Sequence, residues 1–277
     1  MGTATMNEQI GFIGLGSLGA PLAQNLLASG RPLTLWNRTA SKAEPLVQQG
    51  ARLARRPSEA ITGGGVVFTI LWDDSSLEEI VRSEGFLDAL GTGGVHVSMT
   101  TVMPETARQL AALHQAHGSS YVEAPIFGIP QQAVARQLMI CLGGPGPAKE
   151  RVRPLLEAMG GQRIFDFGEA IGAATATKLV GNFMIISAFA AMQESFEVLK
   201  ASGIDPKPTL DILTTTLLAT PGNQRYAGYL LSGMNPIGMS NIPFKDTGLF
   251  TRFADSAHTP VPLAKQLREI LTAAKRA

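Results

Sequence analysis

A short apolar run, Ile10 to Ile13, leads straight into Gly14-Leu15-Gly16-Ser17-Leu18-Gly19, and an apolar-periodic stretch (Leu22, Leu26, Leu27) follows before Gly30. A chain that passes from a buried strand through three spaced glycines into a helix has few folds open to it. Gly14 permits a tight turn, Gly16 lets a pyrophosphate approach the backbone, and Gly19 allows the helix to pack closely on the sheet. A second strand reads over Leu33 to Trp36. Strand, glycine turn, helix and strand within about 30 residues make a βαβ unit, with a right-handed crossover expected. The free N–H groups and positive dipole end of such a helix suit an anion. A ligand-free tight turn is the plain alternative.

The alternation continues. Helical patterns cover Ser41 to Gln49, Leu77 to Val81, Pro104 to His117 and Pro147 to Met159. Between them stand apolar strand runs at Val66 to Leu71, Val95 to Met99, from Tyr121-Val122, Leu138 to Leu142 and Ile164 to Phe167. This predicts an α/β fold, a Rossmann-type doubly wound sheet. After Gly172 the texture changes to one long helix from roughly Ala174 to Ser202, stopped by Gly203, with helical segments beyond it. We place the boundary near Gly168 to Gly172: a dinucleotide-binding domain over 1–170 and an all-helical substrate and dimerisation domain over 171–277, joined by the long helix. That helix reads as apolar around most of its circumference, which demands cover, so a homodimer or homotetramer is expected.

Composition narrows the function. Apolar residues at 45% and charged residues at 16% supply a core and exclude a disordered chain. A net charge of +1 does not steer the molecule as a whole toward nucleic acid, and leaves only local patches open. Cys141 is the only cysteine, which excludes an intrachain disulfide and a cysteine-based zinc site. His114 and His117 stand at helical i, i+3 spacing, but the stretch offers no acidic partner and reads as a solvated helix face, so no metal is assigned. The longest uncharged run, Leu179 to Gln193, falls short of the ~20 apolar residues of a membrane span and reads as a buried helix. The start, MGTATMNEQ, has no apolar signal core. A soluble cytoplasmic protein without membrane or nucleic-acid partners is expected.

Two further clusters carry chemistry. An Asp or Glu ending the second strand would hydrogen-bond the adenosine ribose and repel a 2′-phosphate. Here the chain has Asn37-Arg38-Thr39, with Lys42 shortly after. Arg38 can pair with a phosphate and stack on a ring while Asn37 and Thr39 can offer donors, so the cofactor reads as NADP(H); the alternative is a solvated basic turn. The second cluster is Lys178 and Asn182, at i, i+4 on one face of the long helix. Desolvation draws a lysine's pKa toward neutrality, which suits a general acid or base. From spacing alone a snorkelling boundary lysine is the better reading.

Several motifs in order give the chain a family resemblance. Gly11-Phe12-Ile13-Gly14-Leu15-Gly16 with Gly19, Trp36-Asn37-Arg38-Thr39, Thr100-Thr101 before Pro104-Glu105, Glu123-Ala124-Pro125-Ile126-Phe127-Gly128, Gly172 with Lys178 and Asn182, and Lys245-Asp246 span essentially the whole sequence. The chain resembles the β-hydroxyacid dehydrogenases, relatives of 3-hydroxyisobutyrate dehydrogenase and of glyoxylate/succinic semialdehyde reductases. The resemblance implies that Lys178 exchanges a proton with the substrate oxygen and that Asn182 orients it. It further assigns Leu15, Ser17, Leu18, Leu71, Trp72, Thr101 and Lys245 to the cofactor, and Thr101, Phe127, Gly128 and Asp246 to the substrate.

The departures fall where substrate binds. Phe127 stands at the family's Ser, Ile129 at its second Gly, Glu123 and Ser98 at two Asp positions, and Trp72 at a frequent Pro. Losing a carboxylate partner costs about 1–3 kcal/mol, which points to a larger or less acidic carbonyl compound or hydroxyacid. Phe127 as a packing residue is the alternative. Two other readings stay open. One is an imine reductase, against which Lys178 argues; the other is a non-catalytic NADPH-binding protein.

Overall fold

The computed structural model describes residues 8–234 and 240–274, in two compact units divided at Lys178–Leu179. In the first unit, β1 (Ile10–Ile13), β2 (Leu33–Trp36), β3 (Arg52–Leu53), β4 (Val66–Thr69), β5 (Val95–Ser98) and β6 (Ser120–Glu123) form one sheet in the order β3-β2-β1-β4-β5-β6. Every pair in it is parallel. The buried strands β1, β2, β4 and β5 carry the apolar pattern that the sequence shows, whereas the exposed, two-residue β3 does not. Register sorts the two faces. Phe12, Phe68, Val97 and Val122 lie in one row, and Phe12 and Phe68 pack with Leu22, Leu26 and Leu35. Gly11, Val67, His96 and Tyr121 form the adjacent row, with Leu77, Phe86, Leu90 and Leu110 on that side.

The strands after β6 do not extend this sheet. β7 (Ile126–Phe127), β8 (Leu138–Leu142) and β9 (Gly161–Asp166) make a separate three-stranded sheet, antiparallel between β7 and β8 and parallel between β8 and β9. Only Ala124-Pro125 separates β6 from β7, too short for the helical crossover that a further parallel strand requires.

The sequence expectation for His114 also changes. It is not part of a solvated face but fully buried, in a chain of contacts that runs Thr69 Oγ1 to His96 Nε2 at 2.8 Å, His96 Nδ1 to His114 Nε2 at 2.9 Å, and His114 Nδ1 to Ser119 Oγ at 2.9 Å. Phe86 and Tyr121 pack their rings around the pair. His117 instead lies exposed against the Leu113 carbonyl. Burial lowers the pKa of both core histidines, that of His114 to about 4.

The long helix spans Ala173–Ala201, one residue earlier at each end than the sequence suggested. The second unit adds helices Pro206–Thr215, Pro221–Leu231, Ile242–Ser256 and Pro262–Ala274. Its core gathers Ile186, Met192, Phe196, Leu210, Leu230, Leu267 and Leu271, with Phe189 and Tyr226 stacked at 4.3 Å. The long helix was expected to be buried, yet only 28% of its most apolar window is buried within the chain. Met184 is 65% and Val198 64% exposed, and the helix is long and apolar enough, by length and composition, to cross a membrane.

Candidate active site

In an open parallel sheet, ligands bind beyond the carboxyl ends of the strands where the winding reverses. The order β3-β2-β1-β4-β5-β6 puts that reversal between β1 and β4. The glycine turn follows β1 there. Gly14 has φ +101°, and a Cβ on it would stand 2.2 Å from the Ile70 carbonyl oxygen. A Cβ on Gly19 would stand 2.0 Å from the Gly14 carbonyl oxygen. Both are demanded by the fold. Gly16 is different: it is exposed, its φ is not in the left-handed region, and nothing lies within 4 Å of its Cβ position. The chain itself gives no reason for glycine there, whereas a phosphate laid against the backbone does. The helix that follows, Gly19–Ala28, has no side-chain cap and no acidic residue in its first turn, so its leading end offers positive dipole without competition. Leu15 is buried beneath this turn, Ser17 is exposed and Leu18 half-buried. These residues fit a dinucleotide pyrophosphate.

Asn37 ties the turn to the end of β2. Its Oδ1 accepts from the Leu15 N–H at 2.8 Å and its Nδ2 donates to the Thr39 carbonyl at 2.8 Å. Beside it, Trp36, Asn37, Arg38, Ala40, Leu53, Ala54 and Arg55 line an open cavity of about 510 Å³. The sequence reading missed Arg55. Parallel pairing of β2 with β3, Leu35 opposite Leu53, brings it beside Arg38, and the Trp36 indole donates to its carbonyl oxygen at 3.4 Å. Two arginines lining one cavity could hold a phosphate. Thr39 and Lys42 are exposed and lie outside that lining.

The loops after β4 and β5 are stitched together. The Leu71 N–H donates to Thr100 Oγ1 at 2.9 Å, and Asp74 Oδ1 accepts from Met103 N–H at 2.8 Å and Thr106 Oγ1 at 2.6 Å. Half-buried Thr101 is held in this frame, and Trp72 is 49% exposed.

Lys178 sits in the second turn of the long helix, 7% exposed, with its Nζ 4.2 Å from the centre of the Phe127 ring. A desolvated ammonium over a ring face is held by about 2 kcal/mol. Phe127 belongs to β7, so the replaced Ser position faces the lysine directly. Gly128 answers to packing: a Cβ there would stand 2.3 Å from Leu138 Cδ2. Burial pushes the nearby Cys141 thiol up to about 11, which leaves it protonated and inert.

In the second unit, Asn182 Nδ2 donates to Asp246 Oδ2 at 2.5 Å, and Lys245 Nζ lies 2.7 Å from Asp246 Oδ1. Asn182 and Asp246 are buried. Asp246 thus holds Asn182 and Lys245 together, and the sequence-predicted residues Asn182, Lys245 and Asp246 form one cluster. Asn182 is on the helix of Lys178, one turn on.

Residues 9–168 match the NAD-binding domain of 6-phosphogluconate dehydrogenase, and residues 172–277 match the NAD-binding domain of NADP-dependent 3-hydroxyisobutyrate dehydrogenase. The chain is 36% identical to the uncharacterized oxidoreductase YfjR of Bacillus subtilis, covering 93% of this chain and 90% of that protein. It is 32% identical to the cytokine-like nuclear factor N-PAC of Danio rerio over 97% of this chain, but spans only 58% of that longer protein. A solved structure of Psf3 in complex with NADP+ and 2-OPP superposes with a TM-score of 0.83 at 27% identity, over 95% of this chain and 93% of that one. The chain is an NAD(P)-binding oxidoreductase of the 6-phosphogluconate and 3-hydroxyisobutyrate dehydrogenase family.

Proposed function

We propose that this oxidoreductase uses NADPH to reduce a small carbonyl compound, or runs the reverse oxidation of the hydroxy compound, with Lys178 as the general acid and base. The observation that carries the reading is the buried Lys178 ammonium, presented over Phe127. Bound at the glycine turn, the nicotinamide cofactor supplies the hydride. The chain's own residues do the rest. Gly16 and the uncapped helix end receive the pyrophosphate, while Arg38 and Arg55 favour a 2′-phosphate over a bare ribose. Reduction of a C=O leaves charge on oxygen, and Lys178 Nζ gives that oxygen its proton; in the oxidative direction it takes the proton back. Asn182, held by Asp246, orients the lysine or the substrate.

Phe127 shapes what can enter. Its ring already occupies a position beside the ammonium and offers no hydroxyl to a carboxylate, so a larger or less acidic carbonyl compound suits the site better than a small hydroxyacid. A second copy of the chain is the natural cover for the exposed apolar residues of the long helix, which supports a homodimer or homotetramer.

The test is kinetic. A spectrophotometric NADPH-oxidation screen over aldehydes, keto acids and cyclic imines identifies a substrate. On it, Lys178→Ala and Lys178→Met should lower kcat by about 10²–10⁴-fold and leave NADPH affinity nearly intact. Retention of more than about a tenth of wild-type kcat in both variants removes Lys178 as the acid.

A further inference from the structure

Glu123 closes β6, and its side chain is 1% exposed. Its carboxylate accepts two hydrogen bonds from the beginning of the helix that carries Lys178. The Gly172 N–H reaches Oε2 at 2.7 Å, and the Thr175 N–H reaches Oε1 at 3.2 Å. These are donors that a helix start otherwise leaves unpaired, and the negative charge lies against the positive end of the helix dipole. Gly172 has φ +103°, and a Cβ there would stand 2.7 Å from Arg108 Nη1, so the backbone that delivers the first donor suits glycine alone.

Thr175 is three residues before Lys178, on the same helical face. Phe127 is four residues after Glu123, and its ring receives the Lys178 ammonium. One segment, 123–127, therefore grips the helix at two points: at its first turn through a carboxylate and at its lysine through a ring.

We propose that Glu123 is a positioning residue for Lys178, its carboxylate fixing the depth and rotation of the helix start so that the ammonium is presented over Phe127. The inference rests on the reading of Lys178 as the proton donor. A carboxylate is needed because both of its oxygens accept. A Gln at this position has one acceptor oxygen, and its NH₂ group would face an N–H donor. An Asp keeps the charge but reaches about 1.5 Å less far.

The experiment uses Glu123→Gln and Glu123→Asp in the full chain, with kcat, KM and NADPH affinity referred to folded protein by circular dichroism. In parallel, the side-chain CH₂ next to Nζ of Lys178 is followed in ¹³C-lysine-labelled protein, its signal assigned by its loss in Lys178→Met. In wild type the Phe127 ring current shifts that signal away from those of exposed lysines. Glu123→Gln should lower kcat by about tenfold or more, leave KM and NADPH affinity within about twofold, and move the signal toward the exposed-lysine position. Glu123→Asp should fall between Gln and wild type. A lower melting temperature with wild-type kcat and an unmoved Lys178 signal would mean a structural cap only and overturns the proposal. If the Gln variant does not fold, the Asp variant decides, and wild-type kcat with an unmoved signal overturns the proposal. Failure of the parent reading is separable: Lys178→Met would then stay active, whatever Glu123 does.

Discussion

Acidification should destabilise this protein through the buried histidine pair before its surface carboxylates titrate. His114 is folded with a pKa of about 4 against an ordinary 6.5, chiefly because burial excludes the charged form and secondarily because of His117. The unfolded chain therefore binds a proton at this site between those values while the folded chain does not. The stabilisation is present above pH 6.5 and is lost as pH falls toward 4. At ~1.4 kcal/mol per unit, the His114 site alone contributes about 3 kcal/mol across that window. His96 is lowered in the same direction by burial and by His114, so it adds to the slope with the same sign. The assay is urea denaturation followed by tryptophan fluorescence at pH 7.5, 6.5, 5.5 and 4.5. With an m-value of about 3 kcal/mol/M, the midpoint should fall by roughly 1 M between the extremes. His114→Gln should start less stable, having broken the contacts to His96 and Ser119, but should show a clearly flatter dependence. A wild-type midpoint that stays level down to pH 4.5, or the same slope in His114→Gln, would refute the reasoning.

Three further outcomes are expected. NADPH should bind at least about tenfold more tightly than NADH, a preference of ~1.4 kcal/mol, and Arg38→Asp should reverse it while Arg55→Ala weakens NADPH without affecting NADH, all by fluorescence titration. Phe127→Ser should raise kcat/KM for glyoxylate, a poor substrate of the wild type, and efficient wild-type turnover of glyoxylate would show that other groups bind the carboxylate. Sedimentation at micromolar concentration should give at least a dimer of the 29.3 kDa chain, and a stable monomer would contradict the cover assigned to the long helix.

What the sequence made legible was what repeats locally. β1, the glycine turn and β2 could be read because apolar runs and glycine spacing are properties of neighbouring residues. The two-residue strands β3 and β7 carry too little pattern to show, and with β3 went Arg55, whose place beside Arg38 depends on strand pairing. Long-range partners were hidden for the same reason. Glu123 meets Gly172, 49 residues on, and His114 meets His96 on a strand 18 residues upstream. The i, i+3 spacing to His117 pointed at the wrong histidine. Lys178 and Phe127 each stood out, but their contact did not, because a helix residue and a strand residue 51 positions apart share no sequence pattern.

The three glycines of the first turn answer to different masters. A library selected only for folded, soluble chains would hold glycine at 14 and 19, where a methyl group meets backbone oxygen, and let position 16 drift to alanine or serine. The same library selected for growth on its redox activity would hold all three. The gap between those two selections at residue 16 isolates the demand made by the nucleotide from the demand made by folding, and it turns one open patch of backbone into a record of what this chain has been kept to carry.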